Sequence, residues 1–345
     1  MTADTASVRE GEALDWPTLE AWLKTNIDVV EGEMRVRQFH GGHANLTYCL
    51  SFDNLELVVR RQPFGDIAPG AHDMKREFRA LSGIHPVFDR APKTYAYCED
   101  ESVIGAPFIV MERRPGVIVR TEIPDEFKTI ENIESRVSFA LVDAMAEFHA
   151  LDPVKIGLGD LGKPDGFVSR QLKGWYGRWQ RVVDGTSPEF ESAHERLLAN
   201  QPETQRYTLV HNDLKLDNCM FEVNNPDRVS TILDWDMTTL GDPLIELGTL
   251  LSYWGQADDV TDRSPTIALD MTNFPSRASL VARYAKQGAE VNQIGWYEAF
   301  GLWKQAVVLQ QLYKRFENGE TQDARFKDFP KHIPGMLRSV NQLLS

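Results

Sequence analysis

The sequence predicts an α+β chain in two lobes, a small antiparallel β-sheet lobe followed by a mainly helical one. Three observations carry this. Short β-branched and aromatic runs separated by turn residues fill 36–60, apolar residues recur at helical spacing in long stretches after residue 135, and a polar loop near 215 is flanked by short apolar runs. At 345 residues with 42% hydrophobic content, the chain can bury the core of two domains or of one two-lobed enzyme.

The elements follow in order. Residues 1–12 are small and polar and read as disordered, with no basic segment leading into an apolar run, so no signal peptide is readable. Residues 16–27 carry Leu19, Trp22 and Leu23 behind Pro17, which predicts a short amphipathic helix. Strands over 36–39, 47–52 and 55–60 are separated by Gly41-Gly42 and Asp53-Asn54 and form a meander. A charged helix over 73–81 and a buried strand over 106–111 complete the first lobe, 1–113. From 114 to 345 helical periodicity dominates, at 135–151, 167–183, 244–253, 277–285 and 296–316. A hairpin of 219–223 and 229–233, turning at 224–227, interrupts the helices. Asp242 before Pro243 reads as a helix N-cap.

Composition narrows the function. A formal charge of -14 and a pI near 5.1 disfavour a nucleic-acid partner, because phosphate backbones are gripped by basic surfaces. The longest apolar-rich stretch, 103–111, falls far short of the ~20 residues that span a bilayer, so no membrane association is expected. Cys49, Cys98 and Cys219 follow neither a paired nor a zinc-ligand spacing, which fits a reducing, cytoplasmic setting.

The chemistry lies in His211-Asn212-Asp213-Leu214-Lys215-Leu216-Asp217-Asn218, followed by Asp234-Trp235-Asp236. His211, Asp213, Leu214 and Asn218 fall on the H-R-D-L-x-x-x-N spacing of a phosphoryl-transfer loop, in which the aspartate takes the acceptor hydroxyl proton and the asparagine holds a metal. A nucleoside triphosphate brings about four negative charges, so transfer needs Mg²⁺ and fixed oxygen ligands, which Asn218 and Asp234 can supply. A solvated polar turn explains any one of these residues alone but not their joint pattern. Gly41, Gly42, Asn45 and Thr47 lie in a Gly-rich connection between two strands, where backbone N–H groups can approach phosphate oxygens, although a plain β-turn also accounts for the glycines. Arg60 on a strand and Glu77 on the next helix take the places of the cation and its carboxylate partner that hold ATP phosphates, with arginine where lysine is usual. Met111 is expected to pack on the adenine ring, and the backbone of Glu112 to Arg114 to bond its edge.

Over roughly residues 31–320 these features resemble the aminoglycoside phosphotransferase/choline kinase family of small-molecule kinases. The motifs Gly41-Gly42-x-x-Asn45-x-Thr47-Tyr48, Val59-Arg60-Arg61, Arg76-Glu77-Phe78 and Gly105-x-Pro107-Phe108 are similar to the branch found fused to, or encoded beside, acyl-CoA dehydrogenases. The resemblance implies a two-lobed protein-kinase-like fold, ATP and Mg²⁺ as cofactors, and direct in-line transfer. It implies Asp213 as the base or positioning carboxylate, Asn218 and Asp234 as Mg²⁺ ligands, and Asp236 as a further metal or water ligand. It makes His211 a structural residue, and leaves Lys215 either stabilising the transferring phosphoryl or solvated. The acceptor it suggests is a 4-hydroxyacyl-CoA thioester, with an aminoglycoside, choline-like amine or sugar as alternatives, and an acyl-CoA dehydrogenase as functional associate.

The acceptor side is expected from residues 167–171, Trp175, Tyr176, Trp179, Tyr253, Trp254, Trp303, Gln310 and Tyr313, although core packing accounts for most aromatics at helical spacing. Arg170, Lys173, Arg178 and Arg181 make one helix locally basic, which suits an anionic acceptor if that face borders the cleft. A protein kinase is disfavoured, since no D-F-G or A-P-E follows the loop; a pseudokinase finds support only in Arg60.

Overall fold

The structure, a computed structural model, describes residues 4–39, 45–64, 73–263 and 265–345. It divides into two compact units, Met1–Pro115 with Ser230–Thr238, and Gly116–Val229 with Thr239–Ser345. The division expected between residues 113 and 114 thus falls two residues later, and the segment carrying Asp234 and Asp236 is grouped with the first unit.

The first unit contains β1 (Thr5–Ala6), α1 (Trp16–Asn26), β2 (Arg35–Phe39), β3 (Leu46–Ser51), β4 (Glu56–Arg61), α2 (Met74–Ile84), β5 (Thr94–Cys98) and β6 (Phe108–Glu112). The strands form one sheet in the order β1-β2-β3-β4-β6-β5, antiparallel throughout. Side chains alternate across β4: Leu57 and Val59 enter the core with Leu19 and Leu23 of α1, and Arg60 points to the other face. Asp15 and Asp73 cap α1 and α2 through the N–H groups of Thr18 and Arg76. The buried stripe of α2 is Met74, Glu77, Ala80, Leu81 and Ile84, so Glu77 lies on an apolar face.

The expectation of a disordered 1–12 is corrected for its described part. β1 pairs with Gln38 and Phe39, the Arg9 N–H donates to Gln38 at 2.8 Å, and the Tyr48 hydroxyl donates to the Glu12 carbonyl at 2.6 Å. Polar composition hid this because the contacts are backbone and hydroxyl bonds rather than apolar burial. β5 was also unread; it is a part-exposed strand with a register shift between Thr94 and Ala96, so it lacks a clean period of two.

The second unit contains β7 (Val117–Ile118), α3 (Ile133–His149), α4 (Phe167–Val182), α5 (Pro188–Ala199), β8 (Thr208–Val210), β9 (Cys219–Glu222), the start of β10 (Asn225–Ile232), β11 (Thr239–Gly241), α6 (Pro243–Tyr253), α7 (Arg277–Ala285), α8 (Ile294–Glu317) and α9 (Ile333–Leu343). Helices α6 and α8 cross tightly. Gly248 and Gly301 make this possible, since a Cβ on Gly248 would overlap the Tyr297 backbone and one on Gly301 would sit 2.6 Å from the Gly248 carbonyl. The hairpin turns at residues 223–224 rather than 224–227; Pro226 is accommodated inside β10, an edge strand of the sheet β10-β9-β7. Helix α5 was unread despite its Ser187 cap and Pro188, and α9 likewise.

Candidate active site

In the second unit, the loop 211–218 runs from the end of β8, which β11 pins through Thr239↔Val210 and Leu240↔Leu209, to the start of β9. Both of its ends are therefore fixed by strands. Within it Asn218 donates its amide to the Asp213 carbonyl and to Asp213 Oδ2, each at 2.8 Å, and Lys215 Nζ donates to the same Oδ2 at 2.7 Å. Burial works against the lysine charge, but Asp213 and Asp217 outweigh it and hold its pKa above the ordinary value. Burial raises the pKa of Asp217, whose Oδ1 lies 3.7 Å from Lys215 and has no hydrogen bond. His211 is fully buried and its Nδ1 accepts from the Asp213 N–H at 3.3 Å.

Sequence reasoning missed what fixes this loop. Glu246 of α6 accepts the main-chain N–H groups of His211 at 3.1 Å and Asn212 at 2.6 Å, and receives His149 Nε2 at 2.7 Å. His149 Nδ1 in turn meets the Tyr284 hydroxyl at 2.8 Å. Asn212 adopts φ 69°, a left-handed conformation that the two carboxylate bonds help to hold. Lys304 of α8 donates to the Asn212 carbonyl at 3.4 Å. Asp242 caps α6 through the Leu244 N–H at 2.9 Å and also accepts the Thr204 and Tyr297 hydroxyls, each at 2.8 Å.

In the first unit, Arg60 gathers three carboxylates. Its Nη1 lies 3.3 Å from Glu77 Oε1, and its Nη2 lies 2.5 Å from Asp234 Oδ1 and 3.7 Å from Asp236 Oδ2. Asp234 has φ 65° and begins the short turn that carries Asp236. Three carboxylates thus share one guanidinium. Accordingly, burial pushes the Glu77 carboxyl up to about 7 despite Arg60, while the carboxylates hold Arg60 firmly protonated against its own burial. Thr47 is the direct cross-strand partner of Arg60 and shares its face of the sheet. Asn45 is buried beside the same strand end; Gly41 and Gly42 lie outside the described residues.

The adenine-edge expectation needs revision. The Glu112 N–H donates to the Lys93 carbonyl at 2.9 Å and the Arg113 N–H to the Glu56 carbonyl at 3.3 Å, so neither is free for a ligand. Arg114 is engaged through its side chain, donating to the carbonyls of Asp89 at 2.9 Å and Ser230 at 2.7 Å. Met111 is 8% exposed at the end of β6.

The donor set fits a divalent cation. Among the described residues no three of His, Cys, Asp and Glu form a metal cage. Nucleotide-bound Mg²⁺ does not require one, since it keeps water and phosphate oxygens and takes few protein ligands. The excess negative charge around Arg60 and the unbonded Oε2 of Glu77 in the first unit are electrostatic conditions that a cation relieves. In the second unit Asn218 uses its amide nitrogen on Asp213, leaving its oxygen as a ligand.

Most aromatics proposed for the acceptor side pack instead in the core. Trp179 stacks on Phe190 at 3.9 Å, Phe190 on Trp303 at 5.0 Å, and Tyr176 on His194 at 4.2 Å. Gln310 reaches the Val182 carbonyl and Tyr313 reaches Glu317. Arg170 is taken up by the carbonyls of Lys163 and Asp165. What the fold does present is a small apolar pocket, partly open to solvent and with room for about one water molecule, lined by Lys215, Leu250, Tyr253, Trp254, Leu269 and Met271 among others. Lys215 thus faces both Asp213 and this cavity.

Comparison with known proteins agrees with this geometry. A sequence model described as the phosphotransferase enzyme family matches residues 35–289. Acyl-CoA dehydrogenase family member 11 of Rattus norvegicus is 30% identical over 329 residues, covering 92% of this chain and 42% of that protein. The chain spans between 30% and 43% of the length of the acyl-CoA dehydrogenase family members that it matches. The crystal structure of a Ralstonia eutropha JMP134 protein provisionally assigned as an aminoglycoside phosphotransferase superposes with a TM-score of 0.80 at 28% identity, covering 96% of this chain and 98% of that one. Aminoglycoside phosphotransferase APH(4)-Ia, in a ternary complex with AMP-PNP and hygromycin B, shares the fold with a TM-score of 0.60 at 16% identity, over 93% of this chain and 97% of its own. No helix among the described residues is long and apolar enough to cross a membrane.

Proposed function

Because this chain belongs to the phosphotransferase enzyme family, we propose that it moves the γ-phosphoryl group of ATP directly to the hydroxyl of a small-molecule acceptor, with a 4-hydroxyacyl-CoA thioester as the leading candidate. The observation that carries the reading is the joint engagement of Asp213 by Asn218 and Lys215 in a loop fixed at both ends. The first unit is assigned to the nucleotide and the second to the acceptor.

Each residue then has a task. Asp213 orients the acceptor hydroxyl and takes its proton as the oxygen attacks in line. Lys215 balances the Asp213 charge and offers a donor to the transferring phosphoryl. Arg60, positioned by Glu77, turns toward the nucleotide phosphates, and Thr47 and Asn45 line the same end; Gly41 and Gly42 are assigned to the nucleotide from the sequence alone. Met111, Glu112 and Arg114 flank the base. Asn218 of the second unit, and Asp234 and Asp236 of the first, are the oxygen ligands that would hold Mg²⁺, which would supply charge neutralisation to the phosphates.

The acceptor reading draws support from the apolar lining of the small pocket beside Lys215 and from the names of the dehydrogenase-family relatives, which also motivate functional association with an acyl-CoA dehydrogenase. An aminoglycoside or other amino-alcohol is the second reading, favoured by the fold of APH(4)-Ia. Transfer from γ-labelled ATP across 4-hydroxypentanoyl-CoA, 4-hydroxypentanoate, kanamycin and choline tests the choice. Label on the thioester supports the leading reading; label on kanamycin or choline alone replaces it.

A further inference from the structure

Two cations in the second unit share one aromatic ring. Lys304 of α8 places Nζ 5.3 Å from the Trp175 ring centroid, and Arg178 of α4 places its guanidinium carbon 4.3 Å from the same centroid. Among the described residues neither has a carboxylate at ion-pair distance, and the single hydrogen bond of Lys304 is the long one to the Asn212 carbonyl, next to Asp213. Lys304 is half-buried and Arg178 is exposed on α4, whereas the more enclosed arginines of this unit are paired. Arg263 reaches Asp259 and Glu298 at 2.8 and 2.6 Å, and Arg277 reaches Asp259 at 2.8 Å. Placing like charges together in a partly desolvated setting is unfavourable unless an anion completes the group. Burial, and beyond it the neighbouring Lys215 and Arg178, push the Lys304 amine below the usual lysine range, even though Asp213 and Glu246 oppose this.

We propose that Lys304 and Arg178 bind an anionic oxygen group of the acceptor, on the Trp175 side of Asp213, and thereby select acidic acceptors over polycationic ones. The position relative to the hydroxyl rests on the phosphotransferase reading; the anion site itself does not. The anion is either a carboxylate of a free hydroxy acid or a phosphate of a CoA ester, and both meet the same two cations. Trp175 fixes both side chains: its ring is 7% exposed and Gln171 accepts its indole N–H at 3.2 Å.

The test uses the full chain, with Lys304→Met, Lys304→Arg and Arg178→Gln beside wild type. Calorimetry with 4-hydroxypentanoate, 4-hydroxypentanoyl-CoA and ATP reads binding, and label transfer reads KM and kcat, with 1,4-butanediol as a neutral acceptor. Arg178→Gln should weaken binding of an anionic acceptor by about tenfold, the scale of one charge-assisted contact, with ATP affinity and the butanediol KM unchanged, and Lys304→Met should show the same loss of anion binding. Lys304→Arg should recover most of the loss. Selective loss for the thioester identifies a CoA phosphate, selective loss for the free acid a carboxylate, and loss for both a site that takes either anion. Unchanged anion binding in Lys304→Met and Arg178→Gln, or equal loss for neutral and anionic acceptors, overturns the proposal. Because calorimetry reports the anion without turnover, absence of transfer to every acceptor defeats the kinase reading while leaving this outcome legible.

Discussion

Arg60 donates to Asp234 at 2.5 Å, so a strand cation assigned to the nucleotide rests on a carboxylate assigned to the metal. The same guanidinium is the shared partner of Glu77 and Asp236. Arg60→Ala therefore removes the cation that three neighbouring carboxylates share, one of them only 1% exposed. Loss of roughly 3 kcal/mol of stability is expected, the scale for a buried charge left unpaired, together with weakened ATP binding. Thermal unfolding and ATP calorimetry on Arg60→Ala and Arg60→Lys check both, and unaltered stability in Arg60→Ala would show that the cluster is not coupled as drawn.

Glu246 gives the fold a defined acid response. Burial alone would raise its pKa, but His149, His211 and the bonded backbone N–H reverse the sign and lower it from 4.5. A depressed carboxylate contributes stability that is complete above its unfolded pKa and is lost as pH falls through the folded one, because the unfolded state then binds more protons. Stability should thus fall as pH drops below about 4.5. Glu246→Gln should flatten that acid limb and lower stability at pH 7 by about 2 kcal/mol; chemical denaturation at pH 3.5, 5 and 7 reads both effects.

The α6–α8 crossing predicts a packing defect that no apolar gain offsets. A methyl on Gly248 meets the Tyr297 backbone, which cannot rotate away as a side chain tip could. Gly248→Ala should cost about 1–3 kcal/mol, seen as a lowered midpoint in urea unfolding. Gly174, whose added Cβ meets nothing within 4 Å, is the control, and Gly174→Ala should be neutral or slightly stabilising.

The cavity beside Lys215 predicts acceptor-length selection. Met271→Trp should reduce kcat/KM for a long-chain acceptor more than for a short one, by several-fold, because the larger ring crowds the apolar lining that only the longer chain would reach. Competition between C5 and C10 hydroxyacyl-CoA thioesters measures the ratio. An unchanged ratio would remove the cavity from the acceptor path.

The reaction loop was legible because its chemistry demands particular residue types at fixed spacing. Asp213, Lys215 and Asn218 are sequence neighbours, and the structure brings their side chains together. Arg60 and Glu77 were also legible, since strand alternation and helix amphipathicity place them on facing surfaces. Glu246 was not, because its partners His149 and His211 are 97 and 35 residues away and only tertiary packing joins them. A signal existed nonetheless: it is the one acid in α6, a helix buried almost throughout. The backbone of Glu112 and Arg113 was misread because sheet and loop pairing, which spends those N–H groups, is invisible in a single strand.

The most direct test of the account is γ-phosphoryl transfer from ATP with Mg²⁺ to 4-hydroxypentanoyl-CoA by wild type and Asp213→Asn, with ATP affinity measured in parallel. The account predicts a kcat reduced by about 10²–10⁴ in Asp213→Asn with ATP binding largely retained, as befits a residue acting on the acceptor hydroxyl. Equal turnover by the two proteins would contradict it.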